Sequence, residues 1–169
     1  MIDLIILGGS RNVWSDYKKI RKKSARVMAI NYVALHCPDP IHYIVSMHSE
    51  ALGSIRDLRE KAERNRGHVM GKAPIQTHGI EKHPGVDFVH ETIHGGSSGL
   101  FAALLAVKLG YENIVLCGIP LDNEGNFYDP PWVNDRFSNK KFRGWKTSDL
   151  HGKITSMSGW TREYFGAPE

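Results

Sequence analysis

Apolar residues fall in short blocks separated by polar, glycine-rich stretches, and the blocks switch between strand-like and helix-like periods. Leu4-Ile5-Ile6-Leu7 is an unbroken apolar run, which predicts a strand at about residues 2–7 buried on both faces. A loop and a short helix are expected next, through Asp16–Lys23. Arg26-Val27-Met28-Ala29-Ile30-Asn31 reads as a second strand and His42-Tyr43-Ile44-Val45-Ser46-Met47 as a third. Residues 49–64 place Leu52, Ile55, Leu58 and Ala62 at helical spacing. The His-, Gly- and Lys-rich stretch from Gly67 to Pro84 holds one or two short strands, and Val86-Asp87-Phe88-Val89-His90 another. An Ala/Leu-rich helix then runs from Ser98, with a serine cap before it and Gly110 as its stop. Asn113-Ile114-Val115-Leu116-Cys117-Gly118 is a further strand.

From Pro120 the pattern dissolves into Pro, Gly, Asn and aromatic residues, which predicts a long loop or lid and a C-terminal helix near Ser148–Ser156. Strands alternating with helices predict an α/β fold. The expectation is a single Rossmann-like three-layer domain with a mainly parallel central sheet, its core in residues 1–119 and an irregular lid and tail in 120–169.

Composition narrows this picture. The 169 residues suffice for one domain with a real core, and 41% hydrophobic with 24% charged residues is a globular balance. No apolar run approaches the roughly 18 residues that span a bilayer. The first residues read as a core strand and lack the basic segment and cleavage site of a secretory leader. Two cysteines give no disulfide framework and no zinc set. A cytoplasmic protein without a membrane partner is the expectation.

The net charge of +4 is concentrated in an early cluster (Lys18, Lys19, Arg21, Lys22, Lys23, Arg26) and a late one (Arg136, Lys140, Lys141, Arg143, Lys146). The early cluster reads as a solvated helix face. The late one is interleaved with Trp132, Phe137, Phe142 and Trp145, a mixture that suits a nucleotide. No nucleic-acid-binding module is present, so the expected partner is a small-molecule nucleotide rather than nucleic acid. Aromatic residues in the tail leave a homodimer open.

Two glycine-serine turns carry the candidate chemistry. Gly8-Gly9-Ser10-Arg11 follows the first strand, without the spacing of a Walker loop or of a dinucleotide fingerprint. His94-Gly95-Gly96-Ser97-Ser98-Gly99 opens the Ala/Leu-rich helix, where free backbone N–H groups at the positive end of a helix dipole attract phosphate. In an open parallel sheet, ligands collect at the carboxyl ends of the strands. That rule selects Gly8, Gly9, Ser10 and Arg11, then Asn31, Ser46 and His48, and finally Gly118, Pro120 and Asp122. Asp122 is the best single candidate for a Mg²⁺ ligand. His48, His94 and His151 are candidate acid–base groups. The segment Ser156-Met157-Ser158-Gly159-Trp160-Thr161-Arg162 could close over a phosphate or cap the fold.

The segments Ile6-Leu7-Gly8-Gly9-Ser10, Ala29-Ile30-Asn31, Ser97-Ser98-Gly99 with its Ala-rich helix, Leu109-Gly110-Tyr111-Glu112-Asn113-Ile114 and Leu116-Cys117-Gly118-Ile119 resemble the nucleotide-binding core of bacterial sialyltransferases. They also resemble the related family that contains the hydroxymethylpterin diphosphokinases. The likeness covers about residues 4–50 and 90–128. It implies a nucleotide site on Gly9, Ser10, Asn31, Ser97, Ser98 and Gly99, with a cytidine monophosphate donor in the sialyltransferase version. By order along the chain it implies Tyr128 at the phosphate and His151 as base. In the diphosphokinase version Mg²⁺ would sit on Asp122.

Overall fold

The computed structural model describes residues 2–65, 74–93, 96–122, 124–129 and 139–169. His94, Gly95, the stretch 66–73 and, in the late cluster, Trp132, Arg136 and Phe137 lie outside them, as do the side chains of Lys140 and Lys141. The elements in chain order are β1 (Leu4–Leu7), α1 (Val13–Ile20), β2 (Arg26–Ile30), α2 (Val33–His36), β3 (Tyr43–Val45), a 3₁₀ turn (Ser49–Ala51), α3 (Leu52–Asn65), β4 (Gln76–Gly79), β5 (Phe88–Val89), α4 (Ser98–Lys108), β6 (Ile114–Cys117), α5 (Asn139–Thr147), β7 (Ile154–Ser156) and α6 (Gly159–Phe165).

Among the described residues seven strands form one sheet in the order β5-β4-β3-β2-β1-β6-β7, and every pairing between them is parallel. The chain steps outward from β1 to β5, then returns to place β6 on the free side of β1. The strand order therefore reverses between β1 and β6, where Leu7 is in register with Cys117. This is the Rossmann-like architecture that the alternation of periods predicts.

All four β1 residues are buried because both faces of the strand are covered. Successive side chains point to opposite faces. Leu4 and Ile6 accordingly join one core with α4, Trp145 and Leu150, while Ile5 and Leu7 join the other with Val13, Val33 and Ile55. Each such side chain contributes roughly 1.5–3 kcal/mol on burial. Helix α4 is buried on most of its circumference, through Leu100, Phe101, Ala102, Ala103, Leu105 and Ala106. Its boundaries follow its caps: Ser97 Oγ accepts from Leu100 N at 3.3 Å, and Gly110 takes φ +88° just past the end.

The segment after Pro120 departs from expectation. No helix spans Ser148–Ser156; β7 occupies its last three residues and extends the sheet beside β6. Helices α5 and α6 flank that strand, and Trp145 of α5 is fully buried beneath the start of α4. Part of what reads as lid and tail is therefore sheet and core.

Candidate functional site

The exits of β1, β2, β3 and β6 meet the start of α4 around a crevice of about 500 Å³ at the carboxyl edge of the sheet. It straddles the reversal in strand order, the place where open α/β sheets bind ligands.

The β1 exit forms one wall. Gly8 N donates to Cys117 O at 2.8 Å and Ser10 N to Gly118 O at 3.1 Å, so these two amides continue the sheet. The Ser10 hydroxyl donates to Asn12 Oδ1 at 2.8 Å. Of the expected cradle of amides across Gly9, Ser10 and Arg11, that of Ser10 is therefore taken up by the sheet. Gly9 carries this wall: its carbonyl accepts from Phe127 N at 2.8 Å, and a β-carbon on it would overlap Asn126.

Facing it is the start of α4. Phe101 N and Leu100 N are bound to the carbonyl and hydroxyl of Ser97. The amides of Ser98 and Gly99, at the first two helical positions, are those the helix itself cannot use. Ser98 Oγ accepts from Met47 N at 3.2 Å, which ties the helix start to the β3 exit. Gly96 has φ +68° and nothing near its missing β-carbon, so the approach is open.

Asn31 and Tyr128 close the third side. Asn31 sits at φ +53°, a left-handed conformation uncommon outside glycine. Its side-chain amide lies beside the Tyr128 phenol, and its Oδ1 is buried without a partner among the described residues. An orphaned buried acceptor of this kind at a crevice wall calls for a partner that these residues do not supply. Burial pushes the Tyr128 phenol up to about 12, with Asp129 and Tyr32 adding to the shift, so the hydroxyl keeps its proton. Asp129 also holds the turn that presents it: its Oδ2 accepts from Asn126 Nδ2 at 2.7 Å and from Asn126 N at 3.1 Å.

Gly8, Gly9, Ser10, Asn31, His48, Ser97, Ser98, Gly99, Asp122 and Tyr128 all line this one crevice. Ser46 borders a side cavity instead, and Arg11 and His151 lie elsewhere. Arg11 is exposed and turns away, its Nε donating to Glu124 O at 3.4 Å. His151 stands three positions before the start of β7, at the amino edge of the sheet, and packs its ring on Tyr164 and Phe165. Order along the chain placed it at the base position; the insertion of β7 carries it to the opposite edge. The early basic cluster lies in α1, the turn that follows it and the first residue of β2, also at that far edge. His48 remains, exposed at the crevice rim with its Nδ1 3.6 Å from Glu50 Oε1.

Asp122 reaches the crevice, with Oδ1 accepting from Glu124 N at 3.1 Å. No group of three or more His, Cys, Asp or Glu side chains suited to a metal exists among the described residues. Asp122 alone would offer a carboxylate to a Mg²⁺ shared with a bound phosphate, and no step is derived through one.

Sequence reasoning did not select Asn126, Met47 or Ile119, which also line the crevice. Asn126 had a signal in the Gly125-Asn126 turn; the other two had none, because each reads as an ordinary apolar residue at a strand exit. A smaller side cavity of about 220 Å³ opens beyond Asn31 and Tyr128, bordered by Tyr32, Ser46, His48 and Glu50.

No protein-family model matches the sequence, and no curated protein matches it. Solved structures do match. The chain is similar to a variant of the α-2,3/8-sialyltransferase CstII, with a TM-score of 0.64 and 13% identity over 99% of this chain and 87% of that one. CstII from Campylobacter jejuni in complex with the substrate analogue CMP-3FNeuAc gives a TM-score of 0.62 at 13% identity, covering 99% and 86%. The monofunctional α-2,3-sialyltransferase Cst-I from Campylobacter jejuni gives 0.60 at 15% identity, covering 99% and 80%. At this identity the likeness establishes the fold. It extends over nearly the whole chain, well past residues 4–50 and 90–128. The diphosphokinase side of the resemblance finds no support in these structures.

Proposed function

We propose that this chain is a glycosyltransferase that uses a CMP-sugar donor of the sialic acid type. The observation that carries the reading is the convergence of Gly9, the Ser98–Gly99 amides, the orphaned Asn31 Oδ1 and the protonated Tyr128 hydroxyl on one crevice. Solved structures similar to it include sialyltransferases bound to CMP and to a CMP-sugar analogue, which supports the choice of nucleotide.

In this reading the donor phosphate lies against the start of α4, where two unused amides and the helix dipole favour an anion. Asn31 Oδ1 accepts from a donor group of the nucleotide-sugar. An acceptor hydroxyl enters from the side cavity, past Tyr32 and Glu50, and attacks the anomeric carbon. The new carbon–oxygen bond forms as the bond from that carbon to the phosphate oxygen breaks. CMP leaves with the electron pair, and Tyr128 donates a hydrogen bond to its phosphate. His48 takes the acceptor proton. General-base assistance of this kind contributes typically ~10²–10⁴-fold. Fixed donors aimed at the developing negative charge contribute the larger share.

Incubating purified protein with CMP-sialic acid, alone and with a galactose-terminated acceptor, tests the reading. CMP release that rises with acceptor and falls at least tenfold in His48→Gln is expected. Tight CMP binding without release would instead make the chain a nucleotide-binding protein. An added-Mg²⁺ arm that raises turnover would return Asp122 to the mechanism.

A further inference from the structure

The segment Ser156–Arg162 has no part in the chemistry above, and none of its residues lines the crevice. Its polar contacts nevertheless converge on the crevice wall. Thr161 is fully buried, and its Oγ1 donates to Ile119 O at 2.6 Å. The same oxygen lies 2.8 Å from Ser156 Oγ, which holds it in place. Trp160 N donates to Pro120 O at 2.9 Å. Gly159 takes φ +64°, and a β-carbon on it would overlap Pro120. Behind the wall, the buried carboxylate of Asp16 accepts from Gly118 N at 3.1 Å and from Ser158 Oγ at 2.7 Å. Three consecutive wall residues, Gly118, Ile119 and Pro120, thus each have a backbone group held by this frame.

The middle one matters most. A β-carbon on Gly8 would overlap the Ile119 side chain, and one on Gly99 would stand 3.4 Å from it. Ile119 is therefore the spacer against which both glycine turns pack, one from β1 and one from α4. We infer that Thr161, braced by Ser156 and by the Asp16–Ser158 contact, is a positioning residue for the nucleotide site. It sets the separation of the two turns through Ile119 and touches no ligand. The inference rests on the proposed nucleotide reading for its functional consequence, and on geometry alone for the spacing.

The exchange of a threonine hydroxyl for a methyl keeps shape and removes only the bonds. Thr161→Val is expected to weaken CMP at least fivefold by calorimetry, while Thr161→Ser stays within twofold of the unmodified chain. Tyr17→Phe, which loses the 2.8 Å bond to Asp39 far from the crevice, is the control for stability alone and should leave CMP affinity unchanged. Hydrogen exchange without nucleotide supplies the second readout: the amides of Gly8 and Ser10, bonded to Cys117 O and Gly118 O, should exchange faster in Thr161→Val.

Three results would overturn the inference. They are unchanged CMP affinity in Thr161→Val, a Thr161→Ser variant as weak as Thr161→Val, or unchanged exchange at both the Gly8 and Ser10 amides. If the unmodified chain binds no CMP, the nucleotide reading fails by itself, and the exchange measurement still decides whether Thr161 sets the spacing. Should Thr161→Val not fold, Ser158→Ala removes the Asp16 brace and is read in the same two ways, with the same outcomes required.

Discussion

The hydroxyl of Tyr128 lies 3.0 Å from the point where a β-carbon on Gly9 would stand. The two residues come from opposite ends of the core, and the space left by the missing side chain is what lets the 124–129 segment fold over the first turn. An antiparallel bridge between Ser10 and Asn126 fixes the contact. Gly9→Ala is therefore expected to push Asn126 off its Asp129 anchor and carry Tyr128 with it. Nucleotide affinity should fall more than tenfold, and Gly9→Ala combined with Asn126→Gly should recover part of it. Calorimetry on the single and double variants checks this.

Ser98→Asp separates the seat of the anion from the integrity of the helix. A carboxylate in the first turn complements the helix dipole, worth ~0.3–1 kcal/mol. The same carboxylate can still accept from Met47 N. The melting temperature without ligand should hold or rise, while the rise induced by CMP disappears. A variant that keeps its CMP-induced shift would place the phosphate elsewhere.

Tyr128→Phe removes a single donor whose proton is secured by burial. The loss expected in kcat is roughly 10²-fold, by analogy with deleting one preorganised donor. Because the phenol is raised to about 12, its ionisation contributes no fall in rate below about pH 10, so an alkaline limb in that range must have another origin. A pH–rate profile of both forms reads this directly.

Stability should fall at acid pH through His78. Its ring is buried, stacked on Phe88 and His90, and its Nε2 has no partner. Burial, then the neighbouring His90, holds its pKa down to about 4 from the ordinary 6.5. The unfolded chain takes up this proton as pH drops below 6.5 and the folded one only near 4. Stability is thus complete above 6.5 and lost as pH falls through that window, by about 3 kcal/mol. The lowered pKa of His90 acts in the same direction. Chemical denaturation between pH 7 and 4 should show the slope, and His78→Phe should flatten it.

Much of this molecule was legible in its sequence where one physical constraint dominated. Strands β1 and β6 are covered on both faces, so they read as continuous apolar runs. Helix α4 announced itself through its serine cap and glycine stop. The crevice followed from asking what stands at the carboxyl end of each strand. Where several weak constraints share an element, the reading failed. Strand β7 is only Ile-Thr-Ser, too short to show a period, and its insertion displaced the expected helix and His151 together. Asp16 looks like an exposed helix residue, yet backbone and side-chain donors from 102 and 142 positions away meet it in the interior. Arg59 is the same case: a charge within a helical pattern, fully buried because Glu63 and the carbonyls of Ala34, Cys37 and Asp39 surround it. Distant partners of this kind leave no local trace.

The clasp of Thr161 and Trp160 on Ile119 and Pro120 also has a consequence for biosynthesis. The ribosome makes both glycine turns and the Tyr128 segment well before it reaches the residues that fasten the wall between them. A nascent chain stalled short of Thr161 should carry a sheet whose mouth is unlatched, and it should fail to hold CMP until the remaining codons are read.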